Sequence, residues 1–221
     1  MSLISKIVLA VDLMMLLTVV HVGWTILRAR KMGPPAIWIY AILAAALLWG
    51  AAWSFVPTLA VQRFLPAPQG QAGAIFGLLV ALNLLRFVPS VRAMFHSIDM
   101  KRLVDLSVWR VLYGAALLTI GLLGGLPGAF FWSAAIGDIV VGLWGIAIMQ
   151  RRTTASNREV VLWNIVGLLD LIHVLALGAI YLRGFYLGNP DAAPLNLLPL
   201  VGVPLLLSLH FQTLIGQLRK R

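Results

Sequence analysis

The feature that most constrains this chain is a series of apolar runs, each about 20 residues long, separated by short polar or Pro/Gly-rich breaks. A run of that length with few charges matches the hydrocarbon thickness of a bilayer, and a soluble domain has no use for seven of them. The composition agrees. Of the 221 residues, 61% are hydrophobic and 11% charged, against about 25% charged in an ordinary soluble domain. The expectation is an all-α integral membrane bundle of seven transmembrane helices forming a single domain over 1–221. The spans fall at about 4–28, 36–60, 72–95, 106–125, 128–149, 160–183 and 197–217. "GGLPG" is short enough to make the fourth and fifth spans an antiparallel hairpin. Pro89 and Pro204 fall inside spans and remove backbone donors there. The N-terminal run is longer than a signal peptide's apolar region, contains Asp12 and lacks a small-residue cleavage site, so it reads as a retained helix.

The net charge of +10 would suggest nucleic acid in a soluble protein. Here the basic residues sit between apolar runs, which makes them topology signals facing anionic lipid, with the bilayer as partner and no nucleic acid. One set of ends carries Arg28, Arg30, Lys31, Arg92, Lys101, Arg102, Arg151, Arg152, Arg158, Arg219, Lys220 and Arg221. The other carries Lys6, Arg63 and Arg183. With seven crossings, this bias places the N-terminus outside and the C-terminus in the cytoplasm. The chain has no cysteine, so disulfides, thiolate metal sites and cysteine nucleophiles are excluded.

Against that background the informative residues are the polar ones inside the runs: Asp12, Asn83, Arg86, Arg110, Asp138, Asn164 and Asp170, with His21, His173 and His210. A charge at mid-bilayer costs at least a few kcal/mol, so pairing is expected. Counted from the inferred faces, Arg86 lies about 14 residues into its span, ~21 Å deep, near Asp138 and Asp170. Arg110 lies only ~6 Å from the inner face on the same count and reads as a snorkelling arginine. The pairs expected are therefore Arg86–Asp138 and Arg86–Asp170. Asp170 and His173 are one turn apart on one face, and Ala134, Asp138, Gly142 and Gly145 form a small-residue face that lets a neighbouring helix approach. The competing reading for each polar residue is a buried hydrogen bond that serves packing only. His21, on the face opposite Asp12, reads as a packed or interfacial imidazole.

The segment "LPGAFFWSAAIGDIVVGL" (126–143), followed by "WNIVGLLDL" (163–171), resembles a group of uncharacterised bacterial integral membrane proteins with an LPxxF…GDxxVGL and WNxxGLLDL pattern. Arg110 with Tyr113 and Gly114 is similar to an Arg-x-x-Gly in that group. Ile136 departs from the group's small-residue arrangement. The resemblance covers under half the chain. It implies a multi-pass protein of the bacterial inner membrane and marks Arg110, Asp138, Asn164 and Asp170 as its polar signature; it implies no reaction.

Function classes narrow accordingly. The four lysines, Lys6, Lys31, Lys101 and Lys220, all lie at ends or in loops, which leaves no buried amine for a retinal Schiff base. Intramembrane aspartyl proteolysis needs a closely set carboxylate pair and companion motifs that the chain lacks. Haem b would use His173 and His210 as axial ligands, at depths within about a turn of each other. An Asp138–Asp170–His173 set suits several divalent ions, though no metal is expected. The leading expectation is a membrane protein, its enzyme status left open with no reaction implied, with a buried ionisable cavity used for small-solute or proton-coupled transport, its site drawn from Arg86, Arg110, Asp138, Asn164, Asp170 and His173. The alternative is a haem-, pigment- or lipid-binding subunit or receptor-like protein whose charges are mainly structural.

Overall fold

The computed structural model describes residues 2–28, nine positions between Gly77 and Ala93, and residues 104–151, 157–181 and 198–218. Over these the chain is all-helical. Helix α1 spans Leu3–Arg28, α2 Val108–Leu122, α3 Gly128–Gln150 and α4 Asn157–Tyr181; a π-turn, Leu198–Gly202, leads into α5, Val203–Leu218.

The expected seven-span bundle is not what forms. Among the described residues there are five helices, and three are long and apolar enough to cross a membrane: Leu3–Val22 within α1, Gly128–Gln150 and Arg158–Tyr181. The overcount has a physical cause. An apolar window does not distinguish helix from the apolar turns that flank it. The window 106–125 includes the turn after Leu122, and 197–217 includes the π-turn. The helices left, of 15 and 16 residues, reach about 23 Å at 1.5 Å per residue, short of a ~30 Å hydrocarbon core. The span expected at 36–60 lies outside the described residues, and 72–95 is described at isolated positions only. The expected sidedness of the termini rests on seven crossings and does not follow from the three crossing-length helices described.

The α2–α3 hairpin is the scaffold. The last turn of α2 closes with Gly125 N–H on the Ile120 carbonyl (2.8 Å) and Gly124 N–H on the Gly121 carbonyl (2.9 Å), the paired bonds of a Schellman motif. Gly124 takes φ +78°, a left-handed conformation that a side chain disfavours. Pro127 follows and starts α3, its carbonyl accepting from the N–H groups of Phe130 and Phe131. The two helices then pack with little between them. A Cβ at Gly114 would come within 2.7 Å of the Ala135 carbonyl, and one at Gly142 within 2.6 Å of Val111. The Phe131 ring occupies the space beside Gly121 where a side chain would lie. Gly121→Ala should therefore cost about 1–3 kcal/mol by overpacking. The check is thermal unfolding in detergent, where the Gly121→Ala penalty should shrink when measured in a Phe131→Ala background, since the ring that the new methyl meets is gone.

Helix α4 docks on α3 with the buried Trp163 indole donating to the Val141 carbonyl (3.0 Å), and α5 packs on α4 with the His210 ring against Gly167. On the other side, α1 meets α2 where Thr18 and the Tyr113 hydroxyl hydrogen-bond, and Trp109 Nε1 donates to His21 Nδ1 (3.0 Å). The main core joins α1, α2, the N-terminal half of α3 and α5 through Val11, Met15, Tyr113, Ile120, Phe130 and Leu206. A smaller cluster of Val104, Val141, Ile148, Val160 and Trp163 closes the other end. Large apolar side chains also point outward, among them Leu13, Leu17, Leu143, Leu169 and Ile172. A bilayer accepts that surface and water does not.

Candidate functional site

Four of the five helices converge on one side chain. Arg110, in the first turn of α2, is 0% exposed. Its Nε donates to Asp138 Oδ1 on α3 (2.8 Å), and Nη2 donates to Asp170 Oδ2 on α4. Its Nη1 reaches His210 Nε2 on α5 (3.1 Å) and the Gly167 carbonyl on α4 (3.4 Å). The planar fork of a guanidinium suits this task, because its donors point in fixed divergent directions and can serve three helices at once.

The proton pattern outside the ion pairs follows from Arg110. A guanidinium only donates, so His210 accepts at Nε2 and carries its proton on Nδ1. That N–H donates to Asn164 Oδ1 (3.0 Å), and Asn164 Nδ2 donates to the Val160 carbonyl one turn back (2.8 Å). The imidazole also lies against Trp163, with ring centroids 4.5 Å apart at 51°. Glycines make room for these side chains. A Cβ at Gly137 would land on the Asp170 carboxylate, and one at Gly167 on the His210 ring. At either position any other residue displaces a member of the cluster.

The structure brings Arg110, Asp138, Asn164 and Asp170 together, with His210 as the link between Arg110 and Asn164. It corrects the expected role of Arg110, which is the counter-charge of both aspartates and does not snorkel to a surface. The depth argument failed because it measured from an inferred membrane face. Measured from the hairpin turn, Arg110 lies about 12 residues before the end of α2 and Asp138 about 10 after the start of α3. Those are ~18 and ~15 Å from the same point, a near match in an antiparallel pair. Arg86 lies outside the described residues. His173 lies on an exposed part of α4 beside Asp170, and its hydrogen bond goes to Ser133 Oγ (Nε2 2.9 Å) instead of to Arg110 or the carboxylates. The pair His173 and His210 therefore does not converge on one site as axial ligands would. Both His210 nitrogens are already engaged. Asn83 donates to Ser208 Oγ (3.2 Å) on α5. His210 is the residue whose part in the charge cluster the sequence reading missed. Its signal was a single imidazole inside "LLLSLHFQTL".

A chain that is helical over its described residues, with crossing-length apolar helices, outward-facing leucines and a largely buried ion cluster, is a membrane protein organised around that charge network. More specifically, the chain belongs to the family described as Domain of unknown function (DUF8737), whose family model matches residues 67–218. The whole cluster lies within that match, and α1 lies outside it. No curated protein and no solved structure matches the chain.

Proposed function

We propose that this is a multi-pass protein of the bacterial inner membrane whose Arg110–Asp138–Asp170 cluster takes up and releases a proton, coupled to movement of a small solute. The observation that carries the reading is the charge balance. One guanidinium faces two carboxylates in a largely buried setting, and His210, accepting from Arg110, brings no charge of its own. Among the described residues one negative charge is left over, and an uncompensated charge in a dry membrane interior costs several kcal/mol. A proton on one of the two aspartates balances the site. Exchange of that proton with either side then changes which carboxylate holds the arginine, and with it the seating of α3 against α4. The resemblance of residues 126–143 and 163–171 to bacterial membrane proteins supports the compartment.

Purified protein in liposomes loaded with a pH-sensitive dye tests the reading. Asp138→Asn and Asp170→Asn should each reduce proton flux driven by an imposed gradient by at least tenfold. Flux equal to that of the unaltered protein in both variants would sink the proposal.

A further inference from the structure

A second buried acid lies away from the Arg110 cluster. Asp12, in the middle of the α1 membrane segment, is 4% exposed, and among the described residues neither of its carboxylate oxygens has a hydrogen-bond partner. Buried carboxylates are ordinarily paired, or they are held as neutral acids. Among the described residues no cation stands opposite this one. Of the described elements packed on α1, the π-turn Leu198–Gly202 carries no titratable side chain. Helix α2 presents Tyr113, whose hydroxyl is bonded to Thr18, and its Arg110 is spent on Asp138 and Asp170. Just ahead of α2, Asp105 faces His21 (3.5 Å). His210 of α5 faces Arg110 and Asn164, and Lys6 on α1 itself is exposed.

Irregular backbone packs on α1 one turn along the face that carries Asp12. Asp12 shares its face of α1 with Met15, one turn on, and the Met15 thioether lies against Gly202 in the π-turn. Single π-turns inside helices concentrate at functional positions. Pro204 brings no N–H to the carbonyl four residues back, at Leu200, so that oxygen lacks its usual helical donor.

We propose that Asp12 is a second proton-binding site, built where α1 meets the π-turn, which binds a proton when that contact is closed and releases it to water when the contact opens. The step is the ionisation of one carboxylic acid: the O–H bond breaks, the proton passes to water, and the carboxylate stays on α1. A bare carboxylate does not fit the closed contact, so release and opening go together. The opening is felt at the first cluster, because α5 runs from the π-turn to His210 over about 8 residues, ~12 Å. The two sites thus share a mechanical link and no side chain.

Infrared difference spectroscopy on the full chain in sodium-free liposomes, between acidic and alkaline buffer, reads the site directly. The expected result is a protonated-carboxyl stretch that vanishes on alkalinisation, is missing in Asp12→Asn, is shifted in Asp12→Glu, and persists in Asp138→Asn and Asp170→Asn. That persistence separates this site from the Arg110 cluster, so either proposal can fail alone. Difference spectra identical in Asp12→Asn and the unaltered protein would overturn the assignment. So would a band that sodium removes at constant pH, which would mark a metal-cation site.

Discussion

Arg110→Met should lower the stability of the folded protein by about 3–5 kcal/mol, the range found when one partner of a buried ion pair is removed. The loss is large because Met fills the space and satisfies nothing. Asp138 and Asp170 are left facing each other with no donor, and His210 Nε2 loses its partner. Since folded proteins hold about 5–15 kcal/mol in total, the variant will lie near the edge of folding. The physical content is in the comparison. If the charge imbalance is the cause, Arg110→Met combined with Asp138→Asn and Asp170→Asn should recover most of the loss, because replacing all members of a buried ionic group is often close to neutral. Arg110→Lys should fall between, since an ammonium on a flexible stem cannot address α3, α4 and α5 from fixed angles. Thermal unfolding in detergent of the three variants decides it. A triple variant as unstable as the single one would show that Arg110 acts through packing.

That cluster was only partly legible in the sequence, for physical reasons. Asp138 and Asp170 announced themselves because an acid in an apolar run is expensive and hence informative. The hairpin was legible too: "GGLPG" is too short for anything but antiparallel neighbours. Depth counted from a membrane face that the sequence does not mark points to Arg86 and passes over Arg110, the partner that the described residues show. The turn it does mark would have placed Arg110 opposite Asp138. His210 was overlooked as a cluster member because its role exists only in three dimensions. It joins α5 to Arg110 on α2 and Asn164 on α4, and nothing in local periodicity links those positions. The span count failed for a different reason. Hydropathy windows measure greasiness, the π-turn LPLVG is as greasy as the helix it leads into, and a wide window carries past the end of α2 into the turn after Leu122.

The second large effect concerns the glycines that make room for the cluster. Gly137→Leu and Gly167→Leu should each cost at least about 3 kcal/mol, at the upper end of overpacking penalties or beyond. At Gly137 the new side chain starts from a Cβ that already overlaps the Asp170 carboxylate, and at Gly167 from one that overlaps the His210 imidazole. Neither obstacle moves without breaking a bond to Arg110, so steric and electrostatic losses add. Gly128→Leu is the control, because a Cβ there meets nothing within 4 Å, and it should change the unfolding temperature little. The two cluster variants also separate the members by function. Gly137→Leu displaces an acid that the proposed proton exchange needs, so liposome proton flux should fall with stability. Gly167→Leu displaces the imidazole but leaves Arg110 with both carboxylates, so any protein that still folds should retain more of its flux than the Gly137 variant does. If the order were reversed, the proton route would run through His210 and Asn164, and the two aspartates would serve to hold Arg110 in place.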